Sequence, residues 1–140
     1  MTTDIAKRFN DLPWHDSKML ELTLRRTGGR ETLTLLVAFL KGNTCSLTTV
    51  TFAESAYVDV RIDIDAMREC GDAISGADCT ISSPWFDELK RLQGESFVGY
   101  LHFGIALIPT GGAIEIVAHD FQLEPREADV SVEQLLAKFY

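Results

Sequence analysis

The chain has 140 residues, 46% hydrophobic and 24% charged, with 13 Lys and Arg against 21 Asp and Glu for a net charge of −8. These figures describe one globular domain, residues 1–140, and exclude disorder, collagen, a coiled coil and a disulfide scaffold. The sign of the charge also excludes a broad cationic footprint for nucleic acid.

The charge is uneven. Residues 1–30 carry six basic and four acidic side chains, a net of +2, and residues 31–140 carry seven basic and seventeen acidic, a net of −10. The stretch Glu54–Asp78 holds seven acidic and two basic side chains. Such a surface favours solubility and speeds encounter with a basic partner. Cys45, Cys70 and Cys79 form no Cys-x-x-Cys pair and have no metal-ligand spacing, which points to a reducing compartment. The start of the chain has no apolar core of signal-peptide length, and the longest apolar runs, near Leu35–Leu40 and Ile105–Ile108, are too short to span a bilayer. The expectation is a cytoplasmic protein with neither a membrane nor a nucleic-acid partner.

In chain order, Thr3–Phe9 has the make-up of one or two helical turns. Asn10-Asp11-Leu12-Pro13 reads as a turn, because Pro13 disfavours helix at Leu12. Leu20, Leu22 and Leu24 alternate with polar residues, and after Thr27-Gly28-Gly29-Arg30 so do Leu33, Leu35, Val37 and Phe39. Pairing Arg26 with Glu31 sets Leu24 against Leu33 and Leu22 against Leu35, the register of a hairpin with one apolar face. Cys45–Phe52 is rich in Thr and Val, a strand composition. Val58, Val60, Ile62 and Ile64 alternate with Tyr57, Asp59, Arg61 and Asp63, the pattern of a strand buried on one face.

Asp65 is placed to cap a short helix through Cys70, ended by Gly71, and a short strand is expected at Asp78–Ile81. Ser83-Pro84 starts a helix whose apolar face is Trp85, Phe86, Leu89 and Leu92 and which ends at Gly94. Phe97–Ile108 and Ala113–Phe121 form a second hairpin around Pro109-Thr110-Gly111-Gly112, with Leu101, Phe103, Ile105 and Leu107 facing Ile114, Ile116 and Ala118. A last helix starts at Ser131, with Gln134 completing a capping box and Val132, Leu135, Leu136 and Phe139 as its buried stripe. The predicted fold is α+β: an antiparallel sheet of six or seven strands in hairpin order, with two to four short helices packed on it.

The histidines are few. Pairing Ile108 with Ala113 sets His102 directly opposite His119, both on the face away from the core. With His15 and Asp16 they make a candidate metal or ligand site, since cross-strand histidines lie close enough to share an ion. Asp120 alternates to the other face from His119. The His-Asp phosphohydrolases also carry a His-Asp dipeptide, but on helices, so that reading is rejected. No Gly-x-Ser-x-Gly elbow is present, the Gly pairs sit in hairpin turns rather than before helices, and the cysteines read as inert thiols. Asp59 and Asp63 on one strand face are placed to pair as carboxylates, but Arg61 between them points instead to a solvated salt-bridge row. Trp14 has two readings: it closes the end of the core with His15 fixing the turn, or it anchors a partner.

The segment Phe9-Asn10-Asp11-Leu12-Pro13-Trp14-His15-Asp16-Ser17-Lys18-Met19-Leu20-Glu21-Leu22 resembles the opening of a group of small bacterial domains in which His-Asp-Ala or His-Asp-Ser precedes the first strand. Some of these are immunity proteins of polymorphic toxin systems (immunity family fifty and its relatives), and others are domains of unknown function. The segment from His102-Phe103 through Gly111-Gly112 to Ala118-His119-Asp120-Phe121 resembles their closing hairpin. Here Ser17 stands where Ala is common. The resemblance implies a sheet-rich α+β fold and, for the immunity members, toxin binding without catalysis, and it supplies no catalytic residues. The leading expectation is therefore a non-enzymatic protein-binding domain without a cofactor. Its partner would be a basic, toxin-like protein, met through the Glu54–Asp78 stretch and through Trp14, His15, Asp59 and Asp63. The alternative is a small metal- or ligand-binding protein, in one form a hydrolase, using His15, Asp16, His102 and His119. A homodimer through open sheet edges is a third expectation.

Overall fold

The computed structural model describes residues 2–63, 73–107 and 112–139. The predicted helix at 65–70, the thiol of Cys70, Ile64, and residues 108–111 of the second hairpin lie outside them. The elements are α1 (Thr2–Asn10), β1 (Lys18–Thr27), β2 (Arg30–Lys41), β3 (Thr44–Ser55), β4 (Tyr57–Arg61), β5 (Ile74–Thr80), α2 (Pro84–Gln93) continued by a 3₁₀ turn (Gly94–Ser96), β6 (Leu101–Leu107), β7 (Gly112–Ala118), β8 (Gln122–Ser131) and α3 (Val132–Phe139). The strands make two antiparallel sheets of four, ordered β1-β2-β3-β8 and β4-β7-β6-β5. The class is α+β, as the patterning predicts, but the strands divide between two sheets.

The two sheets pack face to face over one interior. Leu33, Leu35 and Val37 of β2 and Val50 and Phe52 of β3 meet Leu101, Phe103 and Ile105 of β6 and Ile114 and Ile116 of β7, all buried. Phe52 and Phe103 meet edge to face across the interior, centroids 5.0 Å apart. Helix α1 plugs one end by inserting Phe9 among Trp14, Phe52, Phe103 and Phe121. Burying each ring stabilises the fold by on the order of 2–3 kcal/mol. The chain crosses from one sheet to the other at Ala56, whose N–H donates to the Val117 carbonyl.

The first hairpin has the predicted register, with Arg26 opposite Glu31, Leu24 opposite Leu33 and Leu22 opposite Leu35. An irregularity between Met19 and Glu21 turns the start of β1 over, so Leu20 leaves the face of Leu22 and packs on the outer side of the sheet. Leu24, near the hairpin tip, is 53% exposed. Strand β4 lies at a sheet edge: Val58 and Ile62 pack against the core but Val60 is exposed, so the predicted one-sided burial is only partial. The expected strand at 78–81 begins earlier, at Ile74.

Helix α2 starts as read. Ser83 is its N-cap, Pro84 follows at the first helical position, and Gly94 ends it with φ at 69°. Leu89 alone of its apolar face is buried, and Leu92 is exposed. The capping box of α3 is complete: the Ser131 N–H donates to Gln134 Oε1 at 3.0 Å and the Gln134 N–H to Ser131 Oγ at 3.1 Å. Its predicted stripe is narrower than expected. Leu135 is buried and Phe139 packs beside it, on Ala38, Cys45, Leu47 and Val130 of the first sheet's outer face, while Val132 and Leu136 are exposed. Strand β8 has no counterpart in the sequence pattern, and it completes the first sheet against β3.

The segment 14–18 clips the free edge of β5. The Asp16 N–H donates to the Ile74 carbonyl at 3.0 Å and the Ile74 N–H to the Ser17 carbonyl at 2.7 Å, and Lys18 bridges Ala73. The Asn10 side chain pairs with both backbone groups of Cys79, as a neighbouring strand would. This edge is therefore closed to other strands.

Candidate functional site

Three rows of side chains cross the outer face of the second sheet. The register aligns Tyr57, Val117, His102 and Thr80 in one row, Asp59, Glu115, Gly104 and Asp78 in the next, and Arg61, Ala113, Ala106 and Gly76 in the third. The first row is roofed by α2. Because Thr80 pairs with His102 and ends β5, the cap residue Ser83, three positions later, overlies that histidine. The Trp85 ring stacks on His102, centroids 4.8 Å apart, and meets Tyr57 edge to face at 4.8 Å. Val117 points outward yet is fully buried.

The β5, β6 and β7 members of the other two rows form the floor of a cleft of about 530 Å³. The floor is low because Gly76, Gly104, Ala106 and Ala113 carry little or no side chain. Asp78 and Glu115 rise over it from opposite sides of Gly104. A Cβ at position 104 would stand 3.1 Å from Glu115 Oε2 and 3.4 Å from Asp78 Oδ1, so the glycine leaves the space into which both carboxylates lean. Asp59 continues the acidic row on β4, with its carboxylate 3.7 Å from Arg61 Nε.

A hydrogen-bonded chain runs along the covered end of the cleft. His102 Nε2 lies 2.5 Å from Glu115 Oε2, and His102 Nδ1 lies 2.7 Å from Ser83 Oγ. Glu115 is the diagonal neighbour of His102 across β6 and β7, a separation that a long side chain spans. Both side chains are mostly shielded, at 18% and 25% exposure. On the inward side of β5, burial, reinforced by the nearby Asp78 carboxylate, pushes the Cys79 thiol up to about 12. That thiol is inert at neutral pH.

The predicted histidine pairing is corrected by the register. Leu107 pairs with Gly112 and Ala106 with Ala113, so His102 stands opposite Val117 rather than His119. His119 lies beyond the end of β7, exposed, with its ring stacked on Tyr100 at 3.9 Å and Nδ1 3.1 Å from the Gly99 carbonyl. His15 is at the β5 edge, its Nδ1 donating to the Ser75 carbonyl at 2.9 Å and its Nε2 3.5 Å from Asp16 Oδ2. Asp16 holds a left-handed backbone, φ 64°. The four residues of the candidate metal site thus serve three separate places. Among the described residues, no three His, Cys, Asp or Glu side chains are grouped to hold a metal ion.

Trp14 is 3% exposed, and its indole N–H donates to the Phe9 carbonyl at 2.8 Å. Of its two readings, core closure describes its position. Asp59 and Asp63 are at the surface, Asp59 in the acidic row and Asp63 just past β4. Two residues of the cleft are not marked by any motif: in sequence Ser83 reads as a helix cap, and Glu115 as one polar residue of an alternating strand. The signal for Glu115 was available, because alternation on β7 sends it outward between Ile114 and Ile116, onto the face of His102. Comparisons with protein-family models, curated proteins and solved structures find no match to the chain.

Proposed function

We propose that the protein is a cytoplasmic binding domain for a basic protein partner, which docks on the outer face of the second sheet. The carrying observation is the pair Asp78 and Glu115 over a floor of Gly and Ala, with Asp59 beside Glu115 on the edge strand β4. A low acidic floor suits an inserted Lys or Arg side chain, whose charge meets carboxylates in a partly desolvated cleft. The net charge of −8 steers such a partner from a distance. The buried thiols Cys45 and Cys79 are free, which suits a reducing compartment. Inhibition of a basic toxin, as in the immunity proteins that the opening segment resembles, is the form of this function we favour.

The test is affinity capture from the source cell with matched charge reversals. Asp59→Lys/Asp78→Lys should abolish retention of a basic protein that the wild type holds at low salt. Glu124→Lys/Glu127→Lys on β8, which changes the net charge equally, should leave it bound. Equal loss from both variants would show attraction by net charge alone, and equal retention would remove this face as the docking surface.

A further inference from the structure

We infer that Ser83 is a nucleophile for acyl transfer, with His102 as its base and Glu115 holding the base in place. This goes beyond binding and needs no protein partner. The three side chains lie in hydrogen-bonded sequence at the covered end of the cleft, Ser83 Oγ to His102 Nδ1 at 2.7 Å and His102 Nε2 to Glu115 Oε2 at 2.5 Å.

The partners assign the protons. A carboxylate only accepts, so His102 Nε2 carries the ring hydrogen and Nδ1 presents a lone pair. Ser83 Oγ already accepts the Trp85 N–H at 3.3 Å, which leaves its own O–H to donate to Nδ1. This is the tautomer a general base needs, and it is the logic of a serine–histidine–acid triad with the two ring nitrogens exchanged. The stacked Trp85 ring keeps the imidazole in plane with both partners. The acid has its place through Gly104, since a Cβ there would crowd Glu115 Oε2 at 3.1 Å.

The chemistry balances without a cofactor. Ser83 Oγ bonds to a carbonyl carbon while its proton passes to Nδ1, and the imidazolium is paired with Glu115. Collapse breaks the bond to the leaving alcohol or amine, which takes that proton. Water then adds to the acyl-serine with His102 again as base, releasing the carboxylic acid and restoring the serine. Thr80 and Ser82 also line this corner, and their hydroxyls are the donors available to a developing oxyanion. The rest of the cleft names the substrate class. Its floor of Gly and Ala takes a slim chain, and the Asp78 carboxylate beside Gly104 takes a positive charge. The substrates are esters or amides of small acyl groups that carry a cationic group.

The experiment is labelling with an alkyl fluorophosphonate, followed by intact mass and peptide mapping. The serine oxygen displaces fluoride from phosphorus, and the serine proton leaves through His102. Wild-type protein should be labelled at Ser83 about 100-fold faster than at the exposed Ser96, the usual scale of general-base assistance. His102→Gln should remove that advantage and Glu115→Gln should reduce it. Ser83→Asn, which keeps an oxygen to cap α2, should take no label there. A cationic thioester such as acetylthiocholine should be hydrolysed faster than its neutral isostere. Labelling at Ser83 no faster than at Ser96 would overturn the proposal whether or not any variant folds. So would an unchanged rate in a folded His102→Gln protein. Capture of a basic partner does not depend on Ser83, so either idea can fail alone.

Discussion

The two sheets share an interior but differ on their outer faces. On the first sheet, Ala38, Leu47 and Val130 point outward and α3 packs on them with Leu135 and Phe139, while the polar part of that face, Glu21, Thr23, Thr34 and Thr49, opens into a cleft of about 400 Å³. On the second, Gly104, Ala106 and Ala113 point outward among carboxylates, and α2 covers one end only, through Trp85 and Ser83. An apolar outer face recruits a helix because covering it removes hydrocarbon from water. A face of small and charged residues offers little to cover and stays open for a ligand. The helix-covered part of the first face thus contributes stability, and the second face carries the proposed chemistry.

Leu135→Ala should break that division most clearly. Its side chain is 1% exposed, and truncating a buried Leu costs about 2–4 kcal/mol. Its neighbour Leu136, 47% exposed, should lose no more than about 0.5 kcal/mol on the same change. Urea denaturation of both variants measures the contrast.

Alkali should act next, from the inward side of the second sheet. The Cys79 thiol stands at about 12 in the folded chain against 9.0 unperturbed, so the unfolded state ionises first. Stability from this group is intact below pH 9 and falls as pH rises from there toward 12. Cys79→Ala should therefore show a shallower alkaline loss than wild type in denaturation curves taken across that range.

Ser131→Ala removes one arm of the α3 capping box and should cost about 1 kcal/mol by the same assay. Gly104→Ala sharpens the comparison from the other side. Its backbone suits alanine, so thermal stability should change little, within about 0.5 kcal/mol. The added methyl should displace Glu115 and lower the Ser83 labelling rate. The smallest effect belongs to Glu88→Gln. The Glu88–Arg91 pair holds the Glu88 carboxyl below its usual range, but it is fully exposed, and the thermal midpoint should not move measurably.

Much of the fold was legible because the patterns were local. The first hairpin's register follows from one ion pair and a Gly-Gly turn, and the starts of α2 and α3 from their Ser caps. Strand β8 was not legible. Its residues from Gln122 to Asp129 are all exposed, it contains Pro125, and its pairing with β3 is irregular around Leu47, so no period of two survives. The division into two sheets turns on Ala56 and on contacts between distant segments, which periodicity does not encode.

The site was half legible, for a reason particular to sheets. The loop of the second hairpin lies one residue earlier than its Pro-Thr-Gly-Gly sequence predicts, which slides the partners by two. A slip of two preserves every face, so the inward set of Phe103, Ile105, Ile114 and Ile116 came out right. It changes every neighbour, so His102 was given His119 as its companion when Glu115 holds that role. Faces can be read from alternation alone, whereas chemistry depends on who sits beside whom.

The position of β8 has a consequence for the making of the protein. It pairs with β3, yet β4 through β7 all lie between the two along the chain. A ribosome therefore releases the β1-β2-β3 meander well before its fourth member, and β3 meanwhile shows a bare row of amides and carbonyls. Neighbouring nascent chains on one messenger carry the same bare row, and like strands pair readily. The arrival of β8 ends that hazard. Its proline and its charged, exposed length then make it a poor template for further pairing, so the strand that completes the sheet also guards its edge.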